Sequence, residues 1–88
     1  MPTTATASLE GSISRAGADA QKLFRLGMMY ASGRCLQADM ISAHKWFNIA
    51  ALRGNSEAAR LRSEIAKEMS VADIAIAQRA ARDWITRH

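Results

Sequence analysis

From residue 19 onward, apolar side chains return at the three- and four-residue intervals of a helix, and three short polar or glycine-bearing stretches interrupt them. Ala20, Leu23, Phe24, Gly27, Tyr30 and Ala31 share one face of a first helix, with Leu26, Met28 and Met29 widening it. Asp19 has the chemistry of its N-cap and Gly33 that of the left-handed residue that ends it. After a loop from Arg34 to Ala38, Asp39 offers a carboxylate to the open amides of a second helix, predicted over Met40 to Arg53. Its inward stripe is Met40, Ala43, Phe47, Ala50 and Ala51, with Trp46 beside it and Lys45, Asn48 and Arg53 turned to water. Gly54 stops that helix, Asn55-Ser56 makes a turn, and Ser56 opens a third with Ala58, Leu61, Ile65 and Met69 on its inner side. Ser70-Val71-Ala72-Asp73 has the form of a capping box, so a fourth helix starts near Val71 and buries Ile74, Ala77, Ala81, Trp84 and Ile85. Connections this short make neighbours antiparallel. The expected fold is therefore all-α, four antiparallel helices arranged as two helix hairpins.

Ahead of residue 19 the pattern is absent. Met1 to Ala18 is a mixture of Thr, Ala, Ser and Gly in which Leu9 and Ile13 are the large hydrophobics, too few to order a chain, so 1–18 is expected to be a disordered arm and 19–88 the folded part.

Composition reinforces the helical reading. Of 88 residues 18 are Ala, while Val, Ile, Leu and Phe together supply 16, so the core must be made by close approach of helices more than by bulk. With one Pro and one Val, β-sandwich and parallel α/β architectures are excluded. A chain of this size buries only about 60–65% of its unfolded surface, which leaves little room for an enclosed active site. The single Cys35 makes no internal disulfide and suits a reducing cytosol. The first 18 residues lack the basic and apolar regions of a secretion signal, and no run approaches the ~20 apolar residues of a membrane span. A cytoplasmic protein without a membrane association is expected.

The sequence also repeats. The first and third helices align at an offset of 38, matching Ala20 with Ala58 and Leu23 with Leu61, and the second and fourth at 34, matching Asp39 with Asp73 and Ala43 with Ala77. Helix pairs of about this length are the unit of α-solenoids. The residues Ala20, Leu23, Leu26-Gly27, Tyr30, Gly33, Asp39, Ala43, Trp46-Phe47, Ala50-Ala51 and Gly54-Asn55 together resemble a Sel1-like repeat, the longer-looped relative of the tetratricopeptide repeat. The 13 positions from Tyr30 to Ala43 are more than a tetratricopeptide unit of about 34 residues leaves there. The resemblance covers 20–55, and 56–88 departs from it. There Glu64-Ile65 replaces Leu-Gly, Glu68 replaces Tyr and the loop shrinks to Met69-Ser70, as in a polar-faced capping pair. A second departure is Gly33-Arg34-Cys35-Leu36, where the family carries Gly-x-Gly before an aliphatic residue. The resemblance implies a short right-handed α-solenoid of bacterial type acting as an adaptor or scaffold, with no catalytic residue, cofactor or metal.

Candidate chemistry is sparse. Cys35 and His44 would be nucleophile and base, but no third orienting group and no oxyanion turn accompanies them, and a half-buried Cys with a helix-surface His is the simpler reading. His44 and His88 lack zinc-ligand spacing. Met28, Met29 and Met40 mix core filling with an adaptable contact surface. Between Asp19 and Gly54 five basic residues oppose two acidic ones, a local balance of +3 within a chain of +4. Lys22, Arg25 and Met29 share the outer side of the first helix and are the expected contact residues for an acidic protein or peptide. Trp84 is either a core anchor or a subunit contact. A non-enzymatic interaction module is thus expected. Repeat proteins ordinarily need at least three units, so end-to-end self-association is the alternative, and nucleic-acid binding, which rests on charge alone, is the least favoured.

Overall fold

A computed structural model of the chain describes residues 19–34 and 38–88; the arm expected over 1–18, and Cys35, lie outside them. The described residues contain helices and no strand. We label the helices α1 (19–32), α2 (Met40–Leu52), α3 (Ser56–Ala66) and α4 (Val71–Arg87). The all-helical fold and its short inter-helix connections agree with the sequence pattern.

Local chemistry sets most of the boundaries. Gly33, at φ 69°, ends α1 by returning its N–H to the Met29 carbonyl at 3.1 Å, the single-bond left-handed cap. The loop that follows is closed by the Asp39 N–H on the Tyr30 carbonyl at 3.1 Å. The Asp39 carboxylate then takes the Ser42 N–H at 3.1 Å and the Ser42 hydroxyl at 2.7 Å, capping α2. Gly54, at φ 103°, ends α2 in a Schellman motif, with the Gly54 N–H on the Ala51 carbonyl and the Asn55 N–H on the Ala50 carbonyl, both at 3.0 Å. Asn55 caps α3 in turn, its Oδ1 accepting from the Ala58 N–H at 2.8 Å. Ser70 caps α4 through its hydroxyl and the Asp73 N–H at 3.0 Å. Asp19 is already helical, so the N-cap expected there is corrected. Met69, expected on α3, lies in the turn after it, where i to i−3 bonds from Lys67, Glu68 and Met69 tighten the last turn.

The core is built on α2. Ala43, Phe47, Ala50 and, from α3, Ala58 form its buried centre, with Leu23, Phe24, Tyr30 and Ala31 of α1 and Leu61 and Ile65 of α3 packed around them. Gly27 admits the Phe47 ring so closely that a Cβ there would lie 2.6 Å from Cδ1, and Phe24 tilts against the same ring with centroids 5.9 Å apart. Burying one such ring stabilises the fold by about 1.5–3 kcal/mol. Both members of three aligned pairs pack alike: Ala20 and Ala58 are buried, Ala43 and Ala77 are buried, and Leu23 and Leu61 are half-buried. Asp39 and Asp73 differ, because Asp39 is an N-cap and Asp73 is three residues into α4, behind its cap Ser70.

α2 is covered on more than the one stripe its pattern suggests. His44 and Ile49 are also buried, although they flank that stripe on opposite sides. α3 and α4 both pack on α2, and they come from different flanks. Asn48 accepts a hydrogen bond from the Arg62 guanidinium of α3, whereas Trp46, two residues earlier and so pointing nearly the opposite way, meets Trp84 of α4 edge-on with centroids 5.6 Å apart. Two burial expectations are corrected. His44, read as a surface residue, is 3% exposed, and Ile85, read as core, is 38% exposed. Met28 is exposed as well, so α1 buries a narrower face than expected.

Candidate functional site

The polar side of α1 places Lys22, Arg25 and Met29 on one stripe, as their spacing of three and seven residues requires. Lys22 and Arg25 are exposed and Met29 is half-buried. The three do not form one site. Arg25 and Met29 line an open hollow of about 310 Å³ with Met28, Ser32 and Arg34 near the end of α1. Lys22 belongs to a second, of about 300 Å³, at the start of α1, together with Asp19, Leu23, Arg53, Trp84 and His88.

The second cleft is where the first described turn of α1 meets the ends of α2 and α4. Its floor is the half-buried indole of Trp84, in the last turns of α4. Trp46 supports that indole from below. The His88 ring, one turn beyond Trp84, stacks on it with centroids 4.3 Å apart and planes 10° apart, and is tied back by its Nδ1 at 2.9 Å from the Trp84 carbonyl oxygen. Arg53, which follows α2, holds its guanidinium carbon 5.4 Å from the indole centroid, and Lys45 sits 4.4 Å over Trp46. Among the described residues the salt bridges are Arg60 with Glu57 and Lys67 with Glu64, both within the segment 56–67, so Lys22, Arg25, Arg34 and Arg53 are free of carboxylate partners there. The cleft therefore presents an aromatic surface rimmed by two uncommitted cations and by the Asp19 carboxylate.

Sequence reasoning missed most of this cleft. Arg53 is exposed, as expected, and Trp84, read as a core anchor or a subunit contact, is half-buried; what the pattern did not show is that the two meet. The one legible signal was the i, i+4 spacing of Trp84 and His88, which puts two rings on one face of a helix.

His44 is the other unusual side chain. It is buried in α2, its Nδ1 has no hydrogen-bond partner among the described residues, and burial first and the Arg62 charge second hold its pKa below the ordinary 6.5. Cys35, weighed with it as a nucleophile and set aside, lies outside the described residues. Among the described residues no three His, Cys, Asp or Glu side chains are grouped to hold a metal ion, and no helix is long and apolar enough to cross a membrane. No protein-family model, no curated protein and no solved structure matches the chain.

Proposed function

We propose that the chain is a non-enzymatic protein-interaction module, an adaptor or scaffold of the cytoplasm, built on a Sel1-like repeat over 20–55 with the helix pair 56–88 as its cap. The observation that carries this reading is the division of labour along α1 and α2. The residues that resemble the repeat are spent on packing and turns, as with Gly27 against Phe47, Ala43 and Ala50 in the core, and Gly33 and Gly54 at the caps. What remains for solvent is a set of cations with no carboxylate partner among the described residues, beside two open clefts. Such a surface favours an acidic protein or peptide by long-range attraction and by charge-assisted hydrogen bonds. The Lys22→Glu, Arg25→Glu double variant tests it. Capture of host proteins by crosslinking to the full chain should fall while far-UV circular dichroism stays unchanged. Capture that persists at the same level from low to moderate salt would refute the charge assignment.

Exposed apolar side chains favour a second reading, self-association. Leu52 is 67% exposed and Val71 86%, with Ile76 and Ile85 also open to solvent. Light scattering across a dilution series decides it. A helical monomer at low micromolar concentration would exclude assembly as the basis of stability.

A further inference from the structure

We propose that the cleft between Lys22 of α1 and the ends of α2 and α4 is a docking site for an acidic peptide segment, which lays an apolar ring on Trp84 in place of His88 and sets a carboxylate between Arg53 and Lys22. The proposal rests on the interaction-module reading and adds the site, the chemistry of the guest and the residue it displaces.

Three features lead to it. The first is size. About 300 Å³ is at the small end of ligand sites, enough for one or two side chains of a peptide and too small to enclose a large cofactor. The second is the geometry of Arg53. Its guanidinium carbon sits 5.4 Å from the indole centroid, and among the described residues no hydrogen bond occupies its N–H groups, so a carboxylate can take two of them at once. Contact with the indole thus holds Arg53 beside the aromatic surface without consuming its donors. The third is the His88 ring. It is exposed, yet it covers the Trp84 face in a parallel stack, held by local contacts one helical turn apart. A ring of the guest can replace that stack while the chain loses only an exposed contact.

Charge selects the occupant. Lys22 and Arg53 face the cleft without carboxylate partners among the described residues, so an anionic guest gains two charge-assisted contacts where a neutral one gains none. Asp19 on the same rim repels a second carboxylate placed on its side, which fixes the orientation of the guest: acid toward Arg53, ring on Trp84.

The test uses the full 88-residue chain labelled with nitrogen-15 and a blocked hexapeptide of glutamates around one phenylalanine. Control peptides carry glutamine for every glutamate, or alanine for the phenylalanine, and oligothymidylate supplies the same charge as nucleic acid. The indole N–H signal of Trp84 should move saturably with the first peptide, and each peptide control should bind at least about tenfold more weakly. Arg53→Gln should cost a similar factor, Arg79→Gln nothing, and His88→Ala should tighten binding by freeing the indole face. His88→Ala binding equally or more weakly would overturn the displacement, and oligothymidylate matching the peptide would overturn the peptide assignment. Shifts confined to Arg25, Met28 and Met29 would overturn this cleft while leaving an interaction module intact. Absence of any shift at millimolar peptide overturns the docking site as well. Failure of the underlying reading looks different: the unmodified chain would crosslink to no host protein at all.

Discussion

Replacing Gly27 with Ala isolates the contact on which the α1–α2 hairpin depends. Two opposing effects must be weighed. An Ala in a helix interior is favoured over Gly by about 1 kcal/mol, so an unobstructed site would gain stability. Here the added Cβ would lie 2.6 Å from Cδ1 and 2.7 Å from Cε1 of Phe47. Carbon atoms rest at about 3.5–4.0 Å, so the ring must retreat by roughly 1 Å. It has nowhere free to go, because Phe47 is 1% exposed and Phe24 leans on it. Overpacking of this kind costs about 1–3 kcal/mol, and the larger clash argues for the upper part of that range. The net expectation for Gly27→Ala is a loss of about 1–2 kcal/mol, or roughly 5–15 °C in Tm for a domain of this size. Urea unfolding of Gly27→Ala, Phe47→Leu and the double variant checks it. In the Phe47→Leu background the same Ala should cost less or stabilise, because the smaller side chain yields, giving a coupling of at least about 1 kcal/mol. If Gly27→Ala alone raised stability by the full helix-propensity gain, the close approach would be refuted.

Two further outcomes follow from the caps and the buried histidine. Asn55→Ala removes the acceptor for the partly buried Ala58 N–H and should cost about 1 kcal/mol in chemical denaturation, and a change of only a few tenths would show that the cap contributes little. The His44 pKa is lowered on folding, so the unfolded chain takes up the proton first: stability is complete above about pH 6.5 and falls as the pH drops below that, with a limiting slope of about 1.4 kcal/mol per unit until the folded-state pKa is passed. His44→Leu should flatten that segment of the pH–stability curve, and an unchanged slope would assign it to another group. Asp39 does not confuse the measurement, because its carboxyl is held low mainly by the Ser42 hydroxyl and its contribution disappears only below about pH 3.8.

Features set by a few neighbouring residues were legible in the sequence, and those set by distant helices were not. Gly33, Gly54, Asp39 and Ser70 act on backbone groups within a turn or two of themselves, so reading their chemistry places the helix boundaries. Periodicity found the Ala43–Phe47–Ala50 stripe because that stripe meets a neighbour in sequence. It failed for His44 and Ile49, since a wheel drawn for one buried face does not know that α3 and α4 take the two flanks of α2. It failed in the other direction at Ile85, which is exposed although Trp84 beside it packs on Trp46 of α2. The candidate site divides in the same way. Lys22, Arg25 and Met29 follow from one helical stripe, whereas Arg53, Trp84 and His88 join Lys22 only because the last turn of α4 comes back to the first turn of α1.

The Gly54–Asn55 joint has a mechanical consequence. Asn55 donates its backbone N–H to the last turn of α2 and accepts the Ala58 N–H of the first turn of α3 with its side chain, so one residue terminates one helix and starts the next. No slack lies between them. An inserted residue would break both sets of bonds at once. α2 and α3 should therefore move as one lever when the chain meets a partner.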